Sequence, residues 1–318
     1  MEPARAFSQN TPVILGSQGY RHKVCQLNRF PQYQTWNKGE ISTDLLTCGI
    51  IGFLLAWLIK KPTRRLLDLS GLVRHNYAGR EIPTSAGVIF VTSASLAVII
   101  TVILWGSTGS NARVAFPCLL LVVGASLAGL IDDVYGSHVS RGLIGHLRAF
   151  VKERRTTTGV LKAVIIWLFA LFSVTASRGA KPLLALVFDA TLISLAANFT
   201  NLLDLRPARS VKAFSITLAL LLAGDCSSSA ALVPFGLTGG VLAVLNDELS
   251  EECMMGDAGA NPLGAALGYW VALRLSQLVK VFVLLFLISV HIYSERFSLS
   301  RTIDGNSVLR FIDRLGRS

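Results

Sequence analysis

Seven apolar stretches, at about 44–60, 84–105, 114–131, 160–176, 183–203, 211–224 and 228–245, and a further apolar region from 263 to 293, leave this chain few folds to choose from. A helix needs roughly 20 residues to cross about 30 Å of hydrocarbon, and in lipid every backbone polar group must be paired within a helix or a closed barrel. The stretches therefore read as spanning helices. The fold class is all-α: a polytopic integral membrane helical bundle, with about 8–10 transmembrane helices. The last region carries Arg274, Gln277 and Lys280 near its middle, which suits two shorter helices better than one and makes nine spans. Composition agrees. The chain is 52% hydrophobic and only 15% charged, against about 25% charged in soluble domains.

A net charge of +11 would suit nucleic acid, but the basic residues lie in loops between apolar spans, where they set orientation. Loop 61–82 carries Lys61, Arg64, Arg65, Arg74 and Arg80, and loop 204–212 carries Arg206, Arg209 and Lys212, whereas 106–113 and 177–182 are poor in them. The expected partner is thus the membrane and not nucleic acid. The basic loops are expected in the cytoplasm, with the chain a multi-pass protein of the plasma membrane. The reading divides the chain into a polar N-terminal extension at 1–43, a transmembrane catalytic domain at 44–293 and a basic cytoplasmic C-terminal tail at 294–318. The extension lacks the apolar core of a signal peptide and reads either as disordered or as the product of an upstream start codon. Five cysteines without CxxC spacing suggest neither a zinc site nor a disulfide framework.

Counted from an outer amino terminus, the chain emerges inside after its third, fifth and seventh spans. Each exit carries a polar knot: Asp132-Asp133, then "NFTNLLDLRPAR" at 198–209, then "MMGDAGANP" at 254–262. Two adjacent carboxylates repel unless a cation relieves them, and a helix carboxyl end disfavours them further. A solvated helix end would also explain the pair. In the second knot Asn198, Asn201 and Asp204 recur every three residues and form one polar stripe; such side chains face a wet cavity or bond a neighbouring helix. Arg206 and Arg209 beside them suit phosphate oxygens in forked geometry. In the third knot Gly256 and Gly259 flank Asp257 ahead of Pro262, an arrangement that permits close backbone approach to a ligand and that an ordinary turn would also produce. Oxygen ligands without a histidine or cysteine cluster suit Mg²⁺, or Mn²⁺, which bind through one or two carboxylates plus substrate phosphates.

With "REIPTSAG" (80–87), "DD" (132–133), "NxxNxxD" (198–204) and "GDAG" (256–259) in that order, the chain resembles the polyprenyl-phosphate N-acetylhexosamine-1-phosphate transferases over roughly 44–290. The resemblance implies a helical membrane fold with a cytoplasmic active site. The implied reaction is Mg²⁺-dependent transfer of a sugar-1-phosphate from a UDP-sugar to a polyprenyl phosphate, releasing UMP, in cell-envelope glycan synthesis. It implies catalytic roles for Asp132, Asp133, Asp204 and Asp257, with Asp257 and Asp204 as metal ligands. Asn201 with Asp204 would hold the donor, and Arg148 or His146 lies nearest to where relatives carry a phosphate-binding lysine. Two departures stand out. Asp204 is followed by Leu205-Arg206-Pro207-Ala208-Arg209 in place of D-G-x-x-G, and no histidine cluster occurs near the carboxyl end. They leave open a catalytically impaired relative that binds lipid phosphate or nucleotide sugar as a regulator or scaffold. A transporter would need midplane charges and inverted repeats; no internal repeat is visible. Gly264 and Gly268 form one GxxxG, a candidate for close helix approach and for a homodimer.

Overall fold

The computed structural model describes residues 42–105, 110–136, 157–179, 181–224, 229–317, all within the unit Asn37–Ser318. Nine long helices run through these residues: α1 (Thr43–Leu69), α2 (Gly87–Leu104), α3 (Ser110–Tyr135), α4 (Thr158–Arg178), α5 (Leu183–Leu203), α6 (Arg209–Gly224), α7 (Leu232–Leu249), α8 (Asp257–Arg274) and α9 (Gln277–Arg296). The fold is the all-α polytopic bundle expected. Seven of the helices are long and apolar enough to cross a membrane. The other two are α6, of 16 residues, and α8.

The exception of α8 has a packing cause. Ala258 through Ala272 are buried without a break, because α8 touches each of α2 to α7 and stands at the centre of the bundle. A helix walled by protein needs small, close-packing residues more than it needs lipid-soluble ones. Gly264 and Gly268 serve that need: a Cβ on Gly268 would lie 2.9 Å from Ala196 and 3.0 Å from Ile193 of α5. The GxxxG is therefore used inside one chain, and the homodimer it suggested loses its support. The outer helices are the inverse. Trp57, Leu58, Ile103, Phe172, Leu184, Leu220, Phe282 and Phe286 are exposed, as suits side chains that meet hydrocarbon.

The apolar region 263–293 divides into two helices as expected. Leu275 takes an extended conformation and the Ser276 hydroxyl accepts from Val279 N at 3.4 Å, starting α9 afresh. Two short strands, β1 (Val73–His75) and β2 (Glu81–Pro83), pair antiparallel in the loop between α1 and α2. At the carboxyl end, residues read from sequence as a basic tail fold into α10 (Leu299–Gly305) and α11 (Ser307–Arg314).

Candidate active site

The three polar knots occupy one end of the bundle, and the β1–β2 loop joins them. Its exit strand is sewn to the third knot: Met254 N donates to Pro83 O at 2.8 Å, and Ala86 N and Gly87 N donate to Met254 O and Met255 O at 3.0 Å. At the far side of the hairpin, Glu251 accepts from Asn76 Nδ2 at 2.7 Å, from Tyr77 Oη at 2.6 Å and from Arg80. These bonds, Tyr77's above all, hold its carboxyl below the usual range. The segment "REIPTSAG" is thereby fixed against "GDAG", although some 170 residues separate them.

Asp132 and Asp133 stand in the last turn of α3 and face different partners. Asp132 Oδ2 lies 2.6 Å from Lys162 Nζ of α4. Asp133, 6% exposed, accepts from Ser85 Oγ at 2.7 Å and from the backbone N–H groups of Asp257 and Ala258 at 3.2 and 3.1 Å. Asp133 thus caps the amino end of α8 from another helix, where the dipole welcomes an anion. Arg74 of β1 donates to the backbone oxygens of both aspartates, at 3.3 Å and 2.6 Å, and offsets the negative pole of α3. Adjacent carboxylates coexist because each is given its own donors. Asp257, the first residue of α8, pairs with Lys162 as well. The ammonium is held between two carboxylates. The side chains of Asp132 and Asp257 keep 16% and 24% of their surface open.

Glycine is needed in the turn that delivers Asp257. Gly256 has φ +65°, and a Cβ there would meet Asp133 Oδ2 at 2.6 Å and Ser85 N at 2.9 Å. Gly259 admits the backbone of Gly87, with Phe90 also at 2.8 Å from its would-be Cβ. Both glycines therefore serve close approach of α2, α3 and α8 and set the position of Asp257.

Asp204 ends α5 and accepts from Ser210 Oγ at 2.8 Å. Burial, then the nearby Glu248, then Asp257 and Asp133 push its carboxyl well above the ordinary value, which places it in the field of the main cluster. Glu248, buried in α7, accepts from Ala208 N at 2.9 Å and so fixes the turn at 204–209, where Ala208 has φ +54°. Asn198 and Asn201 lie half-buried on the last turns of α5, and their side chains make no hydrogen bond among the described residues. Arg206 forks onto Asp304 at 3.2 and 2.8 Å and lies 5.8 Å from the Tyr77 ring. Arg209 forks onto Asp313 at 2.8 and 3.2 Å. The two arginines that sequence offers to substrate phosphate are thus engaged by carboxylates of α10 and α11. Arg148 lies outside the described residues.

Sequence reasoning missed Lys162 and Glu248. A lone lysine early in an apolar helix reads as one whose amine reaches back to the interface, and the only hint was its place on the same side as Asp132. Among the described residues no three or more histidine, cysteine, aspartate or glutamate side chains are arranged to hold a metal. The donor chemistry still fits Mg²⁺, which takes one or two carboxylates and completes its shell with water and phosphate oxygen. The thiol of Cys253, four residues before Asp257, is pushed by burial up to about 12 and offers no competing thiolate.

No protein-family model matches the chain. A phospho-N-acetylmuramoyl-pentapeptide-transferase of Nautilia profundicola is 26% identical over 264 residues, covering 75% of this chain and 72% of that protein. With its helical membrane bundle and its "DD", "NxxNxxD" and "GDAG" segments gathered at one end, the chain is similar to that transferase, in keeping with the resemblance to the polyprenyl-phosphate N-acetylhexosamine-1-phosphate transferases read from its sequence.

Proposed function

We propose that this chain is a membrane phosphoglycosyltransferase that moves a sugar-1-phosphate, of the N-acetylhexosamine class, from a UDP-sugar to a polyprenyl phosphate and releases UMP. The observation that carries the reading is Lys162 held between Asp132 and Asp257 at the end of the bundle where the polar loops meet. A cation among carboxylates, partly open at the end of a membrane-crossing bundle, suits two phosphate-bearing substrates of which one is a lipid. In the reaction a lipid-phosphate oxygen bonds to the sugar-bearing phosphorus as the bond from that phosphorus to the bridging oxygen breaks, and UMP leaves with the electron pair. A phosphate monoester has a second pKa near 6, so the acceptor is already largely dianionic at neutral pH. Asp132 therefore acts by placing Lys162 more than by removing a proton. Lys162 steadies phosphate charge, and Asp133 acts at one remove by capping α8 and aiming Asp257.

Asp257, with Asp132 or Asp204, would hold Mg²⁺. Bound there, the ion would supply charge neutralisation for the diphosphate. Asn198 and Asn201, whose side chains make no hydrogen bond among the described residues, are suited to hydrogen bonds with the donor. The excess of basic residues in the loops at this end supports a cytoplasmic site.

The test is UMP release from a panel of UDP-N-acetylhexosamines by purified protein with undecaprenyl phosphate and Mg²⁺. At least one donor is expected to release UMP well above the Asp257→Asn variant. Release equal to that variant for every donor overturns the reading. A second reading, binding of nucleotide sugar or lipid phosphate without turnover, draws on the engagement of Arg206 and Arg209 by Asp304 and Asp313. UDP-sugar binding that persists without UMP release selects it.

A further inference from the structure

In a helix lying on a protein in water, apolar residues turn inward and charges outward. The C-terminal pair does the opposite. In α11 Asp313 is 3% exposed and points into the protein, where Arg209 and Arg317 hold its carboxylate at 2.8 Å each. Phe311, Val308 and Leu315 on the other side are 68%, 65% and 52% exposed. Arg310 and Arg314 stand next to these residues along α11 and are exposed, as is Arg301 of α10. Asp304 of α10, half-buried, is paired with Arg206. Both acids of the pair are engaged by arginines, and the exposed face of α11 that remains is apolar and cationic.

Two features fix the depth at which this surface lies. Only Phe297 and Ser298 separate α9 from α10, so the pair starts where a spanning helix ends. Tyr293 and Phe297 stack at 4.8 Å at that end, as aromatics do at the boundary of hydrocarbon and headgroups, and Tyr293 Oη bonds Thr302 Oγ1 of α10 at 2.8 Å. The pair is tied to the level of that boundary.

We propose that α10 and α11 form an in-plane element whose partner is the anionic headgroup layer of the leaflet on the side of the active site. Phe311, Val308 and Leu315 enter the acyl boundary, and Arg301, Arg310 and Arg314 meet lipid phosphates. Through Asp304–Arg206, Asp313–Arg209 and the bond from Arg317 Nη2 to Pro207 O at 3.0 Å, the same element holds the loop that follows Asp204. One face grips that loop and the other rests on lipid.

The experiment uses the full-length protein in nanodiscs of zwitterionic lipid with and without phosphatidylglycerol. Emission of a Phe311→Trp variant is read as the difference from the wild type, which has five tryptophans. The added signal is expected to shift to shorter wavelength and to be quenched by lipids brominated about 5–10 Å below the headgroup boundary. Quenching is expected to be stronger in anionic discs, and the Arg310→Glu/Arg314→Glu double variant is expected to lose that increment. Hydrogen exchange at 307–315 in the unsubstituted protein is expected to slow on addition of phosphatidylglycerol. An added tryptophan that aqueous iodide quenches and brominated lipid does not overturns the proposal, as does quenching indifferent to lipid charge and to the double variant. Crosslinks at position 311 between two copies, in place of lipid quenching, overturn it in favour of a self-association surface.

Discussion

Two buried lysine–aspartate clusters stand in this bundle, and they differ in balance. At the active end, one ammonium, that of Lys162, faces Asp132 and Asp257 with Asp133 beside them, and the side chains keep part of their surface open. Toward the other end, one carboxylate, Asp189 of α5, faces two cations: Lys280 of α9 at 2.7 Å and Arg178 of α4 at 3.2 Å. Asp189 is 1% exposed and Lys280 is 3% exposed. The second cluster joins three helices, and its Asp189–Lys280 pair is closed to solvent. The first has surplus acid and an opening. Closed charge braces a membrane protein, whereas unbalanced and accessible charge is where a cationic or metal-bearing substrate complex finds a place.

The widest test of that contrast is Asp189→Ala. It strands Lys280 and Arg178 without their acid and is expected to lower stability by about 3–5 kcal/mol, the usual cost of breaking a buried pair. Thermal unfolding in detergent measures it, and UMP release per folded molecule is expected to hold. Equal loss of activity per folded molecule would erase the distinction between brace and site. Lys162→Ala is the converse: the rate is expected to fall by about 10²–10³, with less effect on unfolding than Asp189→Ala.

The smallest effect is a pH slope, and it separates two acids near the same loop. Burial raises the carboxyl of Asp204, so the folded state binds its proton more tightly than the unfolded chain. The stability this contributes is complete below the ordinary aspartate value of about 3.9 and is lost as pH rises through the raised folded value. For Asp313 burial opposes ionisation, but Arg209 and Arg317 outweigh it and lower the value. Its contribution is present above the ordinary value and is lost as pH falls through the lowered one. Unfolding followed from acid to neutral pH is expected to show Asp204→Asn removing a decline, by up to about 1.4 kcal/mol per pH unit, while Asp313→Asn removes a rise at the acid end. Slopes of the same sign in both variants would show that the two carboxyls share one environment.

The span boundaries and the clustering of polar exits were legible because parity along an alternating chain fixes which ends coincide. The partition of Asp132 from Asp133 was not. Adjacent residues on a helix point about 100° apart, and only the positions of Lys162 and the α8 amides decide which acid meets which donor. The same limit hid Arg209, whose partner Asp313 lies 104 residues on. A basic run at the end of a sequence looks like a tail until an inward-facing acid gives it something to hold. For Gly264 and Gly268 the motif announced close approach correctly, but α5 of the same chain, and not a second copy, fills the groove.

By itself the sequence determined that this is a bundle of membrane-crossing helices with polar loops at one end, since lipid leaves a backbone so few ways to satisfy its own hydrogen bonds. Tertiary structure alone decided that Lys162 sits between Asp132 and Asp257, that Asp133 caps α8, and that Arg206 and Arg209 are held by α10 and α11. Such pairings depend on how helices far apart in the chain turn toward one another, and that rotation is set by the packing of small residues around α8, which no local pattern records.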